Sequence, residues 1–116
     1  MDERLEVQLE QVGGTSVVRA SGEIDIATAP KLRDCLAEVA DGTRIVIVDL
    51  SAVTFLDSTA LSVLVAGWKR FSSDDEGEEA ELRLVVVRPV ILRVLDVTGL
   101  AKVFSIFSTL EQAIQG

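Results

Sequence analysis

Leu5, Val7 and Leu9 alternate with Glu6, Gln8 and Glu10, a period of two that predicts a strand with one buried face. Gly13-Gly14 marks a turn, and Thr15 to Ala20 predicts the second strand of a hairpin. A short segment, Gly22-Glu23-Ile24-Asp25, follows, and then the period changes. Leu32, Cys35, Leu36 and Val39 stand at i, i+3, i+4 and i+7, the stripe of an amphipathic helix. Thr28 is placed to cap it, Pro30 fits its first turn, and Asp41-Gly42 is placed to end it. Ile45 to Val48 is apolar without alternation, as in a strand covered on both faces.

A second helix is predicted from near Ser58, with Leu61, Leu64, Val65, Trp68 and Phe71 facing inward. Ser72 to Glu81 is polar and acidic, which predicts a mobile surface loop over residues 72–81. Leu82 to Val87 is again continuously apolar. Pro89 opens a third helix that puts Ile91, Val94 and Leu95 inward and ends at Gly99. Lys102 to Phe107 predicts a last strand. Ser108-Thr109-Leu110-Glu111 reads as a capping box, followed by a short helix with Leu110, Ala113 and Ile114 inward. The order ββαβαβαβα predicts an α/β fold. Its mixed, mostly parallel sheet has four to five strands, an edge hairpin and about four flanking helices, in one domain over residues 1–116.

Composition narrows the chemistry. Hydrophobic residues make up 48% of the 116, and mean hydropathy is +0.38, enough for a real core. With no His in the chain, a Ser-His-Asp triad, a His-ligated metal and an imidazole base are all excluded. One Cys permits no internal disulfide and no thiolate zinc cage, which fits a reducing cytoplasmic setting. The charged start MDERLEVQLE reads as no signal peptide, and no apolar run is long enough to span a membrane. A net charge of −8 argues against nucleic acid and anionic membranes as partners. Six of the 19 acids and no base lie between Asp74 and Glu81, however, so the rest of the chain carries 13 acids against 11 bases. The acidity belongs mostly to one loop and says little about a binding face elsewhere.

The candidate chemistry lies in Asp57-Ser58-Thr59-Ala60-Leu61, between a buried strand and a helix start, where open α/β sheets place functional loops. Asp57 or Ser58 suits a helix cap. A phosphate on Ser58 would also be tolerated there, because unpaired N–H groups and the positive end of the dipole face it. Leu56 and Ala60 replace the glycines of a Gly-x-Ser-x-Gly elbow, and neither GxGxxG nor GxxxxGK[ST] occurs. Asp49 reads as a turn cap, Cys35 as a buried thiol rather than a redox centre, and Trp68 as packed. The acidic run lacks EF-hand spacing, so no metal site and no cofactor are expected.

Gly22-Glu23-Ile24-Asp25, Asp57-Ser58-Thr59-Ala60-Leu61 and Thr98-Gly99-Leu100, in that order, make the chain resemble a STAS domain, more narrowly a bacterial anti-sigma factor antagonist. The resemblance runs from about Leu5 to Ala113 and implies the STAS (SpoIIAA-like) fold and a regulatory binding protein rather than an enzyme. It implies that the unmodified protein binds an anti-sigma factor that is also a serine kinase, and so frees the sigma factor. Phosphorylation of Ser58, with Thr59 as the alternative acceptor, would release that partner, and a serine phosphatase would reverse the mark. The partner-binding residues it implies are Asp25, Asp57, Ser58, Thr59, Ala60 and Leu61. Two features depart from the family pattern: Ala60 stands where the motif has Gly, and residues 72–81 replace a short Gly-rich turn. Other readings are an accessory STAS subunit of a signalling complex or transporter, or a small nucleotide-binding or hydrolytic domain.

Overall fold

A computed structural model describes residues 4–72 and 80–116. Five strands form one sheet in the order β1-β2-β3-β4-β5. β1 (Leu5–Val12) pairs antiparallel with β2 (Thr15–Ile24) across the Gly13-Gly14 turn. β3 (Ile45–Leu56), β4 (Glu81–Val85) and β5 (Ser105–Phe107) continue the sheet in parallel. The helices are α1 (Ala29–Ala37), α2 (Ser58–Ser72), α3 (Pro89–Val97) and α4 (Leu110–Gln115). The predicted order of elements and the mixed sheet with its edge hairpin are present.

The unalternating apolar strands are explained by cover on both sides. Val46 and Val48 of β3 join the larger core with Leu32, Leu36, Leu64, Ile91 and Leu95, from the helix layer on one face. Ile47 points to the other face and packs with Val17, Val85 and Ala113 under α4.

Several boundaries differ from the sequence reading. β2 extends beyond Ala20 to Ile24, and β3 beyond Val48 to Leu56, because the two strands keep pairing through two register shifts. Asp49, read as a turn cap, lies instead within β3, where its Oδ1 accepts from Ser51 N at 2.9 Å at the first register shift. α1 ends at Ala37, before Asp41-Gly42. Its last bonds, from Glu38 N to Cys35 O and from Val39 N to Leu36 O, are three-residue closures that tighten the turn and stop it. β4 ends at Val85, and Val87 is exposed. β5 is shorter than predicted, because Leu100–Lys102 forms a 3-10 turn after Gly99. Thr109 rather than Ser108 caps α4, accepting from Gln112 N at 3.1 Å, and Ile114 is exposed rather than inward. Ser72 belongs to α2 and Glu81 to β4; residues 73–79 of the expected acidic loop lie outside the described residues. Trp68 is half-buried. Among the described residues, no helix is long and apolar enough to cross a membrane.

Candidate functional site

The carboxyl ends of β2 and β3 lie side by side. Ile24 pairs with Leu56, and Asp57 N donates to the Ile24 carbonyl at 3.2 Å. The turn carrying Asp25 is therefore next to the one carrying Asp57 and Ser58.

Asp57 caps α2. Its Oδ1 accepts from Thr59 N at 2.9 Å and Ala60 N at 3.1 Å, two of the donors a helix start leaves unpaired. Ser58 is the first residue of α2 and is exposed. Its hydroxyl makes no hydrogen bond to another described residue, while its carbonyl accepts from Ser62 Oγ at 3.0 Å. Thr59 is half-buried and lines a groove of about 330 Å³ between α1 and α2, with Leu36 and Val63. Of the two residues, Ser58 is the more exposed.

Ala60 does not belong with the partner-facing residues. It is fully buried in the core, so its side chain offers a partner no surface. The right-handed helix there accepts alanine in place of glycine without strain. Leu61 is half-buried and packs against the core.

Asp25 is more committed than the sequence suggests. Its Oδ1 accepts from Ala27 N at 2.9 Å, Thr28 N at 3.1 Å and Thr28 Oγ1 at 3.2 Å. Arg4 reaches it from just before β1, with Nη1 on Oδ2 at 2.6 Å. Burial pushes the Asp25 pKa up, but the Thr28 and Ala27 amides, the Thr28 hydroxyl and Arg4 outweigh it, leaving the carboxyl below its ordinary value. Thr28, expected to cap α1, makes no such bond. Its buried hydroxyl accepts from Asp25 N and donates to the Glu23 carbonyl, both at 2.8 Å. Asp25 organises the entry to α1 in its place.

Two residues of this end of the sheet were not singled out from sequence. Ile26 is 77% exposed and Phe55 47% exposed, beside Asp25 and Asp57. For Phe55 the signal was its neighbour Leu56, since successive residues of a strand point to opposite faces and only one of the two can fill the same core. For Ile26 residue type carried no signal. Thr98-Gly99-Leu100 makes its bonds at the end of α3: Thr98 Oγ1 donates to the Val94 carbonyl at 2.8 Å, and Gly99 takes φ +80°.

A family model described as the STAS domain matches residues 6–113. The chain is 38% identical over 104 residues to the anti-sigma-F factor antagonist RsfB of Mycobacterium tuberculosis, covering 89% of this chain and 81% of that one. It is 36% identical over 84 residues to the anti-sigma-B factor antagonist of Staphylococcus aureus, covering 72% and 74%. The crystal structure of an anti-sigma factor antagonist from Mycobacterium paratuberculosis superposes with a TM-score of 0.85 at 38% identity, over 96% of this chain and 92% of that one.

Proposed function

The chain belongs to the STAS domain family, and on that premise we propose that it is an anti-sigma factor antagonist, a regulatory binding protein rather than an enzyme. In its unmodified form it binds an anti-sigma factor of the serine-kinase type in the cytoplasm and frees a sigma factor. Phosphorylation of Ser58 ends that binding, and a serine phosphatase restores it. Residues 1–116 act as one domain, and Asp25, Asp57, Ser58, Thr59 and Leu61 sit at or beside the contact face.

The observation that carries this reading is the exposed Ser58 hydroxyl at the first position of a helix already capped by Asp57. A phosphate adds about −1.5 to −2 charges there, close to the positive end of α2, so the fold tolerates it. The surface beside Ile26 and Phe55 meanwhile gains a dianion that a partner must desolvate or repel. Truncating or opposing charge in a desolvated interface costs about 2–5 kcal/mol, which is well over tenfold in affinity. The relatives that carry the name anti-sigma factor antagonist support the same reading.

The test is incubation with the candidate anti-sigma kinase and ATP, followed by mass spectrometry of the peptide containing Ser58. One phosphate on Ser58, absent from Ser58→Ala, is expected. An unmodified peptide with every kinase that binds the protein would overturn the switch.

A further inference from the structure

The long outer edge of the sheet is β1, and among the described residues no strand lies along its outer side. Hydrogen bonds at its start give the parity of its backbone. The Arg4 carbonyl accepts from Glu23 N of β2 at 2.9 Å, so even-numbered residues turn their backbone groups toward β2. Odd-numbered residues turn theirs outward, and there the Leu5 carbonyl accepts from Lys31 Nζ at 2.9 Å. Val7 and Leu9 thus offer N–H and C=O groups to a strand alongside.

Next to that edge runs a groove of about 600 Å³ between β1 and α1. Val7, Leu9 and Cys35 form its half-buried apolar part. Glu6, Asp34 and Glu38 line it as acids, and its one base, Lys31, is turned to the Leu5 carbonyl.

We infer that this edge and groove dock an extended segment of a partner protein in which apolar residues alternate with Lys or Arg, added as a sixth strand. Open backbone groups supply the ladder, and the alternation of the segment matches that of β1. Its apolar side chains lie on the α1 side with Val7 and Leu9, which pack toward the helix-face core. Its basic side chains lie on the other face, beside Glu6 and beside Glu10, which also pairs with Arg19 of β2 at 3.4 Å. Glu6 and Glu10 complement such a segment and oppose a second copy of this chain, whose own β1 would bring the same acids to the contact. The surface is separate from Ser58, so it stands or falls independently of the phosphorylation switch.

The probe is an acetylated, amidated heptapeptide alternating Lys and Val, titrated into isotope-labelled protein. Hydrogen exchange at the Val7 and Leu9 amides should slow at least about tenfold at saturation, with Gln8, already paired to β2, unchanged. Glu6→Lys, an exposed change on the face that carries the basic side chains, should weaken binding about tenfold, and a Glu-Val peptide should not bind. A peptide N-methylated at alternate residues should also fail to bind. Three results would each overturn the inference: unchanged exchange at Val7 and Leu9, equal binding of the N-methylated peptide, or a dimer of the protein alone in which those amides are already protected.

Discussion

Arg4 holds Asp25 by both terminal guanidinium nitrogens, at 2.6 and 3.3 Å from the two carboxylate oxygens. The pair ties the start of β1 to the turn after β2, where Asp25 also gathers the Ala27 and Thr28 amides. The two partners are not equivalent. Arg4 has a side chain 45% exposed, and its ion pair with Asp25 is screened by solvent, so Arg4→Ala should change stability little. Asp25→Ala removes the acceptor that organises the entry to α1 and should lower the urea midpoint clearly more. Equal losses for the two variants would mean that the ion pair, not the turn, holds this corner.

Acid should weaken the fold through two carboxylates. Asp25 lies below its ordinary pKa because its hydrogen bonds outweigh burial. Glu81 lies below its own because Arg83 donates to Oε2 at 2.9 Å and adds its charge, against a smaller opposing effect of burial. A pKa lower in the folded than in the unfolded state gives stability that is present above the unfolded value of about 4 and is lost as pH falls through the folded value. The urea midpoint should therefore stay nearly flat from about pH 7 to 5 and drop below about pH 4. Asp25→Asn combined with Glu81→Gln should flatten that drop. An unchanged profile in the double variant would assign acid sensitivity to other groups.

Gly22 is a position where only glycine fits. It has φ +117°, and a Cβ placed there would meet the Arg4 carbonyl oxygen at 1.9 Å. The same carbonyl accepts from Glu23 N, so the backbone cannot retreat without breaking the β1–β2 ladder at its end. Gly22→Ala should cost about 1–3 kcal/mol from the strained dihedral alone, more with the clash, seen as a lower melting temperature. A melting temperature within a degree of wild type would show that β1 can shift to make room.

The order of elements was legible because apolar periodicity reports which faces are covered, and those faces are what β3 and α2 satisfy. The ends were not. The extension of β2 to Ile24 depends on the Gly22 backbone and on pairing with β3, which no local pattern displays. Thr28 has the residue type of a cap, yet its hydroxyl is used by Asp25 N and the Glu23 carbonyl. At the candidate site, the motifs pointed to Asp25, Asp57 and Ser58; local bonding explains the two carboxylates, while the Ser58 hydroxyl makes no hydrogen bond to another described residue. It also grouped Ala60 with the contact face, although the third position of α2 turns its methyl into the core. The exposure of Ile26 and Phe55 needed the structure, because an apolar residue type is the usual sign of the inside.

Those two side chains carry the last prediction. Large apolar residues exposed beside Asp25 and Asp57 have no partner in the core, so Ile26→Ala and Phe55→Ala should leave the melting temperature nearly unchanged. If this end of the sheet is the contact face, they are its apolar anchors, and each truncation should weaken binding of the anti-sigma factor by about tenfold or more. Ser58→Glu should weaken the same binding by placing charge at the start of α2, while Ser58→Ala should leave it close to wild type. Calorimetric titration with the purified partner separates the cases. Loss on Ser58→Glu with full binding by both apolar variants would put the contact on the α2 side of Ser58. Full binding by all four variants would move the contact face away from this end of the sheet altogether.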